Sequence, residues 1–71
     1  MNDFLLRVSE GTRVVIRYRL HEQAESATDA LGYVSAKSQT QIVVATVRGL
    51  VTIDFADVIA AKEVPPPPAR R

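Results

Sequence analysis

No cysteine and no tryptophan occur in the 71 residues, histidine occurs once and glycine only three times. Without cysteine, neither a disulfide nor a thiolate zinc site can form. His21 alone cannot build a metal site from imidazole ligands. Gly11, Gly32 and Gly49 are far apart, so no glycine-rich loop leads into a helix to cradle a phosphate. Proline is confined to one run, Pro65 to Pro68. Nine Lys/Arg against eight Asp/Glu leave a formal charge of +1, which is no global footprint for nucleic acid. No apolar run approaches the ~20 residues of a membrane span. Met1 to Val8 lacks the basic start and long apolar centre of a signal peptide. The expectation is a soluble, cytoplasmic chain, with which the absence of cysteine is compatible.

What is present fits one small domain. Apolar burial at ~25 cal/mol/Å² barely exceeds an ordering cost of ~1.5 kcal/mol per residue at this size, so the core must be used efficiently. The organising stretch is Gly11 to Leu20. Val14, Ile16, Tyr18 and Leu20 fall on one side of an extended chain, and Arg13, Val15, Arg17 and Arg19 on the other. Successive strand side chains point to opposite faces, so this reads as a half-buried strand with the arginines outside. A helix would set Arg17 beside Val14 and leave no clean apolar stripe.

Around that strand the chain divides into a lead-in (1–10), a β domain (11–64) and a proline-rich tail (65–71). In the lead-in, Phe4, Leu5, Leu6 and Val8 form either a short helical turn capped by Asp3 or a strand; either way the expected role is packing across an open end of the fold. His21 to Thr28 is polar and reads as a surface loop, in which Glu22 and Glu25 could pair with Arg17 or Arg19. Asp29 to Lys37 is a second strand, with Leu31 and Tyr33 on one face and Ala30, Gly32, Val34 and Ala36 on the other. Gly32 within it suggests a bulge or the close approach of another backbone. Thr40 to Val47, apolar on both faces, belongs in the middle of a sheet. Arg48-Gly49 closes a hairpin, and Leu50 to Ile53 returns as a fourth strand. Asp54 can cap a single 3₁₀ turn that drops Phe55 onto the core, and Val58 to Val64 is the last strand. Pro65 to Pro68 should run as polyproline II, with Ala69 to Arg71 frayed. Five short strands and one helical turn at this length fit an all-β, five-stranded SH3-like barrel. An OB-fold is the alternative, but it needs a longer chain and a helix between its third and fourth strands.

Gly11-Thr12-Arg13-Val14-Val15-Ile16-Arg17-Tyr18-Arg19-Leu20, the Thr28-Asp29-Ala30-Leu31-Gly32 segment, the Arg48-Gly49 hairpin and Val58-Ile59-Ala60-Ala61-Lys62 running into Pro65 resemble the N-terminal SH3-like domain of actinobacterial GNAT-family N-acetyltransferases, some described as histone-acetyltransferase-like. The resemblance covers about residues 11 to 66. It implies a module without catalytic residues, cofactor or metal of its own, with acetyl-CoA bound only by a GNAT domain that would follow Arg71. Pro65–Pro68 would then be a semi-rigid spacer at ~3.1 Å per residue. The implied partner is that catalytic domain or another protein.

Each candidate site has a plainer reading. Asp54 and Asp57 form a carboxylate pair only if a pocket shifts a pKa; a cap and an exposed turn residue is the simpler account. His21 opens a polar loop and reads as solvent-exposed, and no Ser/His/Asp set surrounds Ser9, Ser26, Ser35 or Ser38. Arg13, Arg17 and Arg19, with Arg48, are the candidate partner-binding face. Residues two apart on a strand lie about 6.6–7 Å apart, a spacing similar to that of nucleic-acid phosphates, so a stand-alone nucleic-acid-binding barrel is the alternative function. The face has no aromatic neighbour for base stacking, and arginine stems on a solvated face cover apolar surface without any ligand. Tyr18, Tyr33 and Phe55 are the candidate aromatic groove, in which the proline run could dock. An acetyltransferase complete in these residues is disfavoured by the length and the glycine pattern.

Overall fold

The computed structural model describes residues 3–21 and 26–67. A short helix α1 (Asp3–Arg7) precedes β1 (Arg13–Leu20), β2 (Ser26–Lys37), β3 (Gln41–Thr46) and β4 (Gly49–Asp54); a 3₁₀ turn (Phe55–Asp57) leads into β5 (Val58–Glu63). The five strands form one antiparallel sheet in the order β4-β3-β2-β1-β5. The sheet curls into a barrel-like SH3-type arrangement, with β4 and β5 left as its two edges. The expected all-β barrel and its 3₁₀ turn are thus what forms. The sheet stays open, and the lead-in resolves as a helix rather than a strand.

The parity of β1 organises the interior. Val14 and Ile16 are fully buried, Tyr18 and Leu20 are half-buried, and Arg17 and Arg19 are exposed. Ala30 and Val34 from β2, Ile42 and Val44 from β3, Ile53 from β4 and Phe55 from the 3₁₀ turn complete one core, and Leu5 and Val8 join it from the lead-in. Leu5 is 1% exposed, so the lead-in packs as a full part of the core. Lys37 anchors it: its Nζ donates to the carbonyls of Leu5 and Leu6 at 3.2 and 2.9 Å, where a cation suits the carbonyl end of a helix.

Two bulges give the sheet its bend. The β1–β5 register passes from Arg17↔Ala60 to Tyr18↔Val58, leaving Ile59 as the extra residue. The β2–β3 register passes from Val34↔Val44 to Ala36↔Val43, leaving Ser35 extra. An extra residue on one strand increases local twist and reverses side-chain parity beyond it. Ala36 is therefore exposed rather than grouped with Val34, and Lys37, opposite the buried Ile42, turns toward α1. Gly32 has the other meaning expected of it. A Cβ there would fall on the carbonyl oxygen of Ala45, so β3 crosses where only glycine fits.

Three boundaries differ from the sequence reading. Ser26, Ala27 and Thr28 belong to β2, opposite Leu20, Arg19 and Tyr18, because the ladder to β1 satisfies their backbone groups whatever the polarity of the side chains. The β3–β4 hairpin turns at Val47-Arg48, with Thr46 opposite Gly49. Thr46 Oγ1 donates to the Gly49 carbonyl at 2.8 Å and accepts from the Arg48 amide at 3.1 Å, and Gly49 follows the loop with φ +126°. Asp54 occupies the cap position of the 3₁₀ turn in extended conformation, but its side chain makes no cap. Instead Asp54 Oδ1 accepts from Gln41 Nε2 at 2.7 Å, while the Phe55 amide donates to the Thr40 carbonyl at 2.9 Å. Pro65–Pro67 has no regular secondary structure; the fraying expected of 69–71 falls on residues outside those described.

Substitutions separate these roles in urea unfolding followed by circular dichroism. Ile16→Ala is expected to cost about 2–5 kcal/mol, whereas Leu31→Ala on the outer face should change stability by no more than about 0.5 kcal/mol. Gly32→Ala, which forces β2 away from Ala45, is expected to cost about 1–3 kcal/mol or to prevent folding. A neutral result at Gly32 would contradict the close crossing.

Candidate interaction surface

The outer face of the sheet carries the residues singled out for binding. Antiparallel partners directly opposite each other share a face, so the register sets Arg13, Tyr33, Ala45 and Leu50 in one row and Lys62, Val15 and Leu31 in the next, with Ala60, Arg17 and Asp29 in a third. Arg17 Nη1 donates to Asp29 Oδ1 at 3.2 Å, with both side chains about half exposed, 54% and 53%. Asp29 therefore takes the part considered for Glu22 and Glu25, which lie outside the described residues. Arg13 is engaged differently. Its Nη1 donates to the Pro65 carbonyl at 2.6 Å, while its own carbonyl accepts from the Val64 amide at 2.9 Å. Arg19, opposite Ala27, and Arg48, at the hairpin tip, are exposed.

A broad open depression gathers part of this set. Arg13, Arg17, Arg48, Tyr18 and Tyr33 line it, and Pro67 reaches its rim. Arg19 is not among its lining residues. Tyr33 is exposed, whereas Tyr18 packs partly against the core. Phe55 is 8% exposed and contributes instead to a separate groove with Leu5, Asp54 and Ile59. The depression is thus lined by Tyr33 from the outer face and by Tyr18 from the inward row of β1, whereas the 3₁₀ turn holds Phe55 in the core.

Two features escape reading along the chain. His21 Nε2 and Asp57 Oδ1 lie 2.7 Å apart, tying the end of β1 to the 3₁₀ turn. The histidine side chain is 73% exposed, as expected, but the Asp57 side chain is only 17% exposed, so it is a bonded bracing residue rather than an open turn carboxylate. Thirty-six positions separate the two, and no local pattern marks such a pair. Asp54 is committed to Gln41, so the two aspartates have separate partners. The second feature is apolar: Leu31, Val47 and Leu50 are exposed. The alternation of β2 set Leu31 beside Tyr33, but which face was outermost depended on the fold. Among the described residues, no group of three or more His, Asp or Glu side chains is placed to hold a metal ion, and no helix is long and apolar enough to cross a membrane.

Residues 8–62 match the family model described as the Rv0428c N-terminal Sm-like domain. The chain belongs to this family. No curated protein and no solved structure shows significant similarity to it. The match begins in the lead-in and ends in β5, so it includes every strand of the Sm-like domain and stops just before the proline segment.

The cross-strand pair of the Sm-like domain should have little weight in its stability. A double-mutant cycle with Arg17→Ala and Asp29→Ala is expected to give a coupling of about 0.2–1 kcal/mol at low salt, falling as salt is added. A coupling above about 2 kcal/mol by chemical unfolding would show a far less solvated pair than the one described.

Proposed function

We propose that this Sm-like domain is a non-catalytic module of a GNAT-type N-acetyltransferase in the cytoplasm, positioning a catalytic domain, a partner or a protein substrate. The observation that carries this reading is the two-point clasp between β1 and the segment leaving β5. The Val64 amide donates to the Arg13 carbonyl, the Arg13 guanidinium donates to the Pro65 carbonyl, and Pro67 lies at the edge of the arginine–tyrosine depression. Proline fixes φ and stiffens the chain, so a clasp on its first residue sets the direction in which anything attached beyond it is delivered. Pro67, two residues on, lines the same depression as Arg13, Arg17 and Arg48 of the candidate partner-binding face. The family's description as an N-terminal domain fits a module of this kind, and the sequence resemblance supplies the acetyltransferase. The glycines support a role without acetyl-CoA: Gly32 is spent on a strand crossing and Gly49 on a hairpin.

The alternative, nucleic-acid binding through Arg13, Arg17, Arg19 and Arg48, has less support. Two of the four guanidiniums are already bonded to oxygens of this chain, and the nearly balanced charge provides little long-range attraction.

Titration of the 71-residue chain with acetyl-CoA, followed by calorimetry, is expected to show no saturable heat; stoichiometric binding would overturn the non-catalytic role. The clasp has its own test. Arg13→Ala should leave the core resonances in place while the Val64 amide exchanges with solvent several-fold faster. Unchanged exchange would mean that the arginine does not fix the exit path.

A further inference from the structure

The outer face combines charge with exposed apolar area in a way that specifies a partner. Leu31, Tyr33, Val47 and Leu50 are 47%, 43%, 103% and 69% exposed. Tyr33 and Leu50 flank Ala45 in one register row, Leu31 follows in the next, and Val47 comes directly after Thr46, which faces Gly32. An uncovered apolar surface of this kind, bordered by polar groups, marks a place where another molecule packs. Its border is positive. Arg13, Arg17 and Arg48 line the same depression as Leu31, Tyr33 and Val47, and among the described residues the one carboxylate lining it, that of Asp29, is already bonded to Arg17. Arginine forks recognise carboxylates in preference to other neutral or cationic groups.

We propose that this surface binds an extended protein segment in which acidic side chains flank apolar ones. The apolar side chains pack on Leu31, Tyr33 and Val47, and the carboxylates reach Arg48 at the hairpin tip and the exposed edge of the Arg17 fork. Pro67 is among the residues that line the site. The proposal deepens the positioning role and rests on it, since it names the chemistry of what is positioned. A protein segment is favoured over nucleic acid because the exposed apolar side chains beside the arginines are mostly aliphatic, Leu31, Val47 and Leu50 against the single ring of Tyr33, whereas single strands are held by stacking on successive aromatic rings.

The test is an NMR titration of the isotope-labelled full chain with three probes: a synthetic eight-residue peptide of four central leucines with two glutamates at each end, the same peptide with lysine for glutamate, and a twelve-base-pair DNA duplex. The acidic peptide is expected to shift the amide signals of Leu31, Tyr33, Ala45 and Leu50 and to weaken with added salt. Arg48→Glu and Val47→Ser, both at the exposed hairpin, should each reduce that binding at least fivefold while the Ile16 and Ile42 methyl signals stay in place. The lysine peptide should not bind. No shift with the acidic peptide, equal binding of the lysine peptide, or tighter binding of the duplex through the same residues would each overturn the proposal. Failure here without acetyl-CoA binding removes only the acidic segment. Saturable acetyl-CoA binding removes the non-catalytic module whatever the peptide does.

Discussion

Val14 and Ile16, fully buried on the inner face of β1, are the contact on which the domain depends. β1 is hydrogen-bonded along both edges, to β2 on one side and β5 on the other. A strand with both edges paired has its backbone groups satisfied, so one sealed face and one exposed face are enough to fix its register. A slip by one residue would place Arg13, Val15 and Arg17 against the core and expel Val14 and Ile16. Burying guanidiniums without partners costs far more than a domain of this size can offset. The alternation of arginine with aliphatic residues thus excludes the competing registers as well as stabilising the native one.

Curvature comes from a few local irregularities rather than from the strands in general. The extra residues at Ser35 and Ile59, together with the crossing at Gly32, bend a single five-stranded sheet around one core. The Ser35 bulge also explains how the lead-in is held. By reversing parity at the end of β2 it directs Lys37 to the carbonyls of α1, and so connects the most irregular part of the sheet with the element that brings Leu5 into the interior. The His21–Asp57 bond braces the other end, joining the exit of β1 to the turn that carries Phe55.

The same register that seals the inside arranges the outside. Each outward residue of β1 meets a defined neighbour: Arg13 meets Tyr33, Val15 meets Leu31, Arg17 meets Asp29 and Arg19 meets Ala27. One arginine is consumed by a carboxylate and one by the Pro65 carbonyl. This turns an apparent row of free positive charge into a mixed surface of cations and aliphatic side chains.

Period-two alternation in β1, glycine within β2, the doubly apolar β3 and the aspartate-bounded turn before β5 were each sufficient to place their elements, because each encodes a local steric or solvation preference. Gly32 carried its signal because a missing Cβ inside a strand has few uses. The sequence alone determined the class of fold, the inward side of β1, the place of β3 inside the sheet rather than at its edge, and the absence of cysteine chemistry. The bulge at Ser35, the early start of β2 at Ser26, the turn at Val47-Arg48 and the partners of Arg13, Arg17, His21 and Asp57 were decided only by the tertiary structure. Each of these depends on which strand lies opposite or which distant group comes within bonding distance, and a linear pattern holds no record of that until the sheet has curled over its core.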